Sequence, residues 1–168
     1  MRRLIVLVAA VVLVLAGGSA LRIGDGSDDD APETRTARVE RVVDGDTIIV
    51  DLDGVRERVR YIGIDTPESV AEQPRECYGH RAAEENERLV AGRTVTLTTD
   101  EEARDRFGRL LAYVRREPDD LFVNEVLVRG GFATTLEIRP NVRYAGTFRD
   151  EERRARAAGR GLWGACDR

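Results

Sequence analysis

From Thr36 onward, short β-branched runs alternate with charged positions. TARVERVV (36–43), DTIIVDL (46–52) and VRERVRYIGI (55–64) predict three strands. Asp53-Gly54 separates the last two and is a strong signal for a two-residue hairpin turn. An Ala/Glu/Arg/Leu stretch from Gly79 to Val90 predicts a helix that stops at Gly92. Arg93 to Thr99 and Arg109 to Arg115 predict two more strands around a polar loop, Asp100 to Gly108. Val123, Val126 and Leu127 have helical spacing before Gly130-Gly131, and a last helix is predicted from about Thr147 to Ala158. Thr147 with Asp150 resembles a capping box there, and Gly159 is a natural stop. Five short strands with a helix between the third and fourth, and about three helices in all, predict an α+β, mainly β fold. The order fits a five-stranded Greek-key barrel of the OB type.

A different pattern precedes this. Arg2-Arg3 is followed by an unbroken apolar run, Leu4 to Ala16, and then by the small residues Gly17 to Ala20. Residues 1–21 therefore read as a signal peptide or, left uncleaved, as an N-terminal membrane anchor. Either reading sends the rest of the chain outward, so a secreted or extracytoplasmic, membrane-anchored protein is expected. Residues 22–35 are acidic, with Gly, Ser and Pro and little to bury; they read as a disordered linker before a folded domain over 36–168.

Composition narrows the chemistry. All 27 basic residues are Arg, which removes lysine Schiff-base chemistry and a Walker-type phosphate lysine. One histidine, His80, excludes a multi-histidine metal site; it reads as a surface or capping residue. Two cysteines, Cys77 and Cys166, are too few for a zinc cluster and enough for one disulfide. The net charge of −4 and an aromatic content of 5% argue against a basic groove lined with stacking rings. Arginines converging on one cleft would still bind a polyanion locally.

Two acid-bearing segments stand out, Asp44-Gly45-Asp46-Thr47 and Arg60 to Glu68, on the arms of the predicted hairpin. If Leu52 faces Val55, Thr47 faces Arg60 and Asp46 faces Tyr61. Asp65 lies four residues past Tyr61, ~13 Å along a straight strand, so it reaches Asp46 only if the chain bends, with Gly63 as the candidate hinge. Two carboxylates with carbonyls and water would then form a Ca²⁺ or Mg²⁺ site. Glu68 could act as a base on water, and Arg60 with Arg109 could clamp a phosphate. These are the parts for phosphodiester hydrolysis. Singly, each has a plainer reading as a turn, a cap or a solvated side chain.

The segments VVDGDTIIV, RVRYIGIDTPES, ECYGHRAAE, DRFGRLLAYV and VNEVLVRGGFA resemble the thermonuclease family, collinearly from about Arg38 to Trp163. The resemblance implies an OB-type barrel and a Ca²⁺-dependent endonuclease acting on DNA and RNA with little sequence choice, leaving 3′-phosphate ends and working as a monomer. By position, Asp46 and Asp65 match the calcium carboxylates, and Thr66 the residue whose carbonyl joins them. Glu68 matches the general base, and Arg60 and Arg109 the phosphate-binding arginines. Arg106 and Phe107 stand where the family's type member has a Lys-Tyr pair, and the stretch Thr134 to Asn141 lacks its tyrosine, so altered nucleotide contacts are expected. Cys77 and Cys166 are absent from the type member; export favours their pairing over two free thiols. Gly161-Leu162-Trp163 reads as a hydrophobic clasp. The competing reading is a catalytically inactive module of the same fold that binds nucleic acid or protein.

Overall fold

The computed structural model describes residues 32–69 and 76–166. The apolar leader and residues 22–31 of the acidic linker lie outside the described residues. Among the described residues, no helix is long and apolar enough to cross a membrane.

The first strand, β1 (Thr34–Val42), opens at Thr34 rather than at the expected Thr36, because Thr34 and Arg35 pair with Thr98 and Leu97. β2 (Thr47–Leu52) and β3 (Val55–Tyr61) follow as an antiparallel hairpin. Its register runs from Leu52↔Val55 at the turn to Thr47↔Arg60 at the open end, as the Asp53-Gly54 signal predicts. Both turn residues have positive φ, 55° and 81°, the requirement of a tight primed turn. The expected third strand does not continue to Ile64. It breaks after Tyr61 and resumes as the two-residue β4 (Ile64–Asp65).

After helix α1 (Gly79–Val90), β5 (Thr94–Thr98) and β6 (Leu110–Arg116) form the second antiparallel pair. β1 bridges β2 and β5, and a parallel pairing of β3 with β6 closes the ring, giving a five-stranded mixed barrel of the expected OB type. Short strand β7 (Leu121–Phe122), helix α2 (Val123–Gly130), short strand β8 (Thr134–Thr135), helix α3 (Ala145–Ala157) and one-turn helix α4 (Leu162–Ala165) complete the order. Alternate strand residues point inward: Ile48, Val50, Val59, Tyr61, Val95, Leu97, Ala112 and Val114 are buried. Burying each larger aliphatic side chain contributes roughly 1.5–3 kcal/mol.

Helix α3 begins two residues before the expected cap. Tyr144 is its N-cap, without a side-chain cap bond, and Thr147 lies within the helix. Tertiary packing explains this: Phe148 is fully buried and Tyr144 stacks edge-on against Tyr113 with ring centroids 4.6 Å apart. Cys77 and Cys166 are joined in a disulfide with Cα atoms 5.8 Å apart, tying the approach to α1 to the end of α4. The Gly161-Leu162-Trp163 segment, expected as a hydrophobic clasp, is held instead by Arg156 of α3, 3.9 Å above the Trp163 ring, and by the Leu162 N–H, which donates to the Gly131 carbonyl at 2.9 Å; none of the α4 residues is buried.

Gly63 is the hinge that the carboxylate geometry requires. Its φ is +81°, and a Cβ there would lie 2.6 Å from the Phe148 ring. Gly63→Ala combines left-handed strain with a clash inside packed aromatics, and is expected to cost about 2–4 kcal/mol. The urea midpoint measures this; an unchanged midpoint would mean that the bend does not depend on the missing side chain.

Candidate active site

The site begins with a turn. Asp44 Oδ1 accepts the Asp46 backbone N–H at 3.1 Å, while the Asp46 carbonyl accepts from Tyr61 at 2.9 Å. Gly45 permits the approach of the second acidic segment, since a Cβ on it would lie 2.6 Å from Thr66 Oγ1. Thr66 then donates to Asp46 Oδ2 twice, from its backbone N–H at 2.7 Å and its hydroxyl at 2.8 Å. Thr47 Oγ1 donates to Asp46 Oδ1 at 3.2 Å.

Beyond the Gly63 bend, β4 is held by antiparallel pairing with β8, Asp65 opposite Thr134. This turns Asp65 back toward Asp46, and one guanidinium joins them. Arg60 Nε lies 3.1 Å from Asp46 Oδ1, and its Nη2 lies 2.7 Å from Asp65 Oδ1. Arg60 Nη1 donates to the carbonyls of Tyr61 and Ile64 at 2.9 and 2.8 Å, so the fork is braced on four sides. Burial, and then the adjacent Asp46 charge, push Asp44 up to about 6. Burial also raises Asp65; Arg60 opposes this, while the charges of Asp46 and Glu68 add to it.

Two carboxylates converging on one cation, among oxygen donors only, fit a hard divalent ion. Among the described residues, no group of three or more His, Cys, Asp or Glu side chains is arranged to hold a metal. Carbonyls and water would therefore have to supply the remaining ligands, as the carbonyl expected from Thr66 would.

Arg60 also lines a cavity of about 470 Å³ together with Asp105, Arg106, Phe107 and Arg109. Arg109 is aimed by Asp105, which accepts its Nε at 2.6 Å and its backbone N–H at 3.0 Å. Burial would raise Asp105, but the hydrogen bonds from Arg109 and the Phe107 backbone outweigh it and hold the carboxyl below its ordinary range. A depressed native value means that the native state binds fewer protons than the unfolded chain. The brace therefore stabilises at pH above the ordinary carboxylate value and is lost as pH falls through the native one. The stability difference between wild type and Asp105→Asn is expected to be flat from about pH 5 to 8 and to shrink below about pH 4. A difference that persists undiminished at acid pH would show that the brace owes nothing to the charge.

Phe107 is 69% exposed, with Arg106 4.7 Å and Arg109 5.6 Å from its ring centre. Glu68 is exposed, and its backbone is clipped to Glu76: the Glu68 N–H donates to Glu76 Oε2 at 3.1 Å and Glu76 N–H to the Glu68 carbonyl at 3.2 Å. Gly79, at the start of α1, allows this, because a Cβ there would lie 2.3 Å from the Glu68 carbonyl oxygen. His80 is a surface residue, 3.3 Å from Glu84, and does not line the cavity.

Some residues that shape the site were not singled out from the sequence. Asn86 is fully buried, accepts the Tyr61 hydroxyl and donates to the Asp44 carbonyl, both at 2.9 Å. Asn124, also buried, accepts Val114 N–H and donates to the Ile62 carbonyl just before the hinge. Each carries a legible signal: a polar residue on the apolar stripe of its helix, Asn86 between Ala82 and Leu89, and Asn124 beside Val123 and Leu127. Leu136 and Ile138, 36% and 61% exposed, also line the cavity; they belong to the stretch Thr134 to Asn141 in which altered nucleotide contacts are expected.

The profile of the family described as Staphylococcal nuclease homologue matches residues 58–165. This chain belongs to the staphylococcal nuclease family. As a family member it is a hydrolase of the nuclease class. It is 38% identical over 130 residues to a thermonuclease of Staphylococcus hyicus, covering 77% of this chain and 76% of that protein. It is 37% identical over 161 residues to a thermonuclease of Staphylococcus intermedius, covering 90% and 95%. An endonuclease of Bacillus subtilis, YncB, is 37% identical over 130 residues, covering 74% of this chain and 60% of that protein.

Proposed function

We propose that this chain is an exported, calcium-dependent endonuclease that hydrolyses phosphodiester bonds of DNA and RNA with little sequence choice. The observation that carries the reading is Arg60, held between Asp46 and Asp65 on the wall of the cavity that also contains Arg109. In this reading Asp46, Asp65 and the Thr66 carbonyl hold Ca²⁺, which supplies charge neutralisation at the reacting phosphate. Arg60 and Arg109 grip the non-bridging phosphate oxygens, where their fixed forks match the charge that builds up during displacement. Glu68 takes a proton from water as the water oxygen bonds to phosphorus. The bond from phosphorus to the 5′-oxygen breaks, that oxygen takes a proton from solvent, and the other fragment keeps a 3′-phosphate. Arg106 and Phe107 contact the nucleotide beside the scissile bond. Export is supported by the apolar run after Arg2 and Arg3, with secretion or tethering outside the membrane as the two outcomes.

Digestion of plasmid DNA and of RNA by the purified folded part, with and without Ca²⁺, tests this. Both polymers should be cut with Ca²⁺, spared in EGTA and cut again when Ca²⁺ is restored. Equal activity on Mg²⁺ alone would overturn the calcium assignment; no cutting under any condition would favour a silent binding module.

A further inference from the structure

Arg60 is not alone on its face of β3. Residues alternate sides along a strand, so Arg56, Arg58 and Arg60 point the same way, while Val59 and Tyr61 are buried in the barrel. Their surroundings differ. Arg60 is committed to the acid pair, and Arg56 is neutralised by Glu40 at 2.8 Å. Arg58 is exposed and makes no ion pair among the described residues, although its neighbour Glu57 binds Arg104.

Arg58 also faces a concavity of its own. One step before Val59↔Leu110, the parallel pairing of β3 with β6 brings Arg58 level with Arg109. The two arginines line a depression of about 280 Å³ with Phe107 and Gly108, and no carboxylate lines it. Phe107 and Arg109 line both this depression and the larger cavity that holds Arg60, so the two hollows adjoin. Arg58 and Arg60 are two residues apart, ~6.6 Å along the strand. That is close to the separation of successive phosphates along an extended single strand, whose bases stack on exposed rings such as Phe107.

We propose that Arg58, beside Arg109, binds the phosphate next to the one being cleaved, so that the chain has a flanking-phosphate subsite for an extended single strand. This rests on the nuclease reading of the adjacent site, and extends it from one phosphate to two. Arg58 acts in holding polymer and takes no part in bond breaking.

The test compares the full-length wild type with Arg58→Ala and Arg56→Ala. Anisotropy of a short labelled oligothymidylate in EGTA reads binding without cleavage, and hydrolysis with Ca²⁺ is followed separately. Arg58→Ala should weaken oligothymidylate binding about fivefold and reduce the slope of log Kd against log salt by about 0.7. It should leave affinity and turnover on a dinucleoside monophosphate, which has no flanking phosphate, as in wild type. Arg56→Ala should change neither. Equal losses in the two variants would overturn the subsite in favour of a diffuse charge effect. Equal losses on the dinucleoside monophosphate would overturn it too, as would wild-type binding by Arg58→Ala or no binding by any form. If binding follows the expected pattern but nothing is cleaved with Ca²⁺, the nuclease reading fails, and what remains of the proposal is Arg58 as a phosphate contact for single strands, with no scissile phosphate beside it.

Discussion

Glu68→Gln is expected to lower turnover on nucleic acid by about 10²–10⁴-fold, the usual contribution of a positioned base, while leaving the fold intact. The change keeps the shape of the side chain and removes its ability to accept a proton. It spares the fold because the Glu68 side chain is exposed and the local backbone is held through the Glu76 carboxylate and backbone instead. Single-turnover rates with saturating Ca²⁺, beside circular dichroism of the same sample, separate the two effects. Near-wild-type turnover in the variant would remove Glu68 from the base role and leave the water to be activated by another group.

The second large effect concerns Arg60. Arg60→Ala removes one of the two phosphate clamps, for which a loss of about 10²–10³-fold in turnover is expected. It also strips a nearly buried carboxylate, Asp46 at 6% side-chain exposure, of its countercharge. In EGTA this should cost about 3 kcal/mol, because Thr47 and Thr66 still hydrogen-bond to Asp46 but carry no charge. Arg60 and a divalent ion neutralise the same two carboxylates. Added Ca²⁺ should therefore raise the melting temperature of the variant by more than that of the wild type. An equal or smaller shift in the variant would mean that Asp46 and Asp65 are not the carboxylates that the ion meets.

How far this site was legible in advance depended on sequence distance. The β2–β3 register is a local matter, because a two-residue turn leaves one way to pair its arms, and so Arg60 opposite Thr47 could be read directly. The Asp105–Arg109 brace is also local, four residues apart across one tight loop. Thr147 shows the limit of such reasoning. A capping pattern was present, but Tyr144 and Phe148, packed among aromatics from β6 and β7, set where the helix begins. The stretch Thr134 to Asn141 was legible only through the family resemblance, for a similar reason. Leu136 and Ile138 belong to a stretch with no regular pattern, and what anchors it is Asn141, bonded to both the backbone N–H and the carbonyl of Glu102 in another loop at 2.8 Å.

The sequence alone determined the succession of strands and helices along the chain, the hairpin register and the inventory of hard acids and arginines, since each depends on spacing within a few residues. Only the tertiary structure decided that Asp65 meets Asp46. The bend at Gly63 is seated on Phe148 from a helix far down the chain, and the two residues beyond it are turned by pairing with Thr134 and Thr135. Contacts between residues so far apart in sequence form only when the whole barrel and its helices close around a shared core, and no local spacing encodes them.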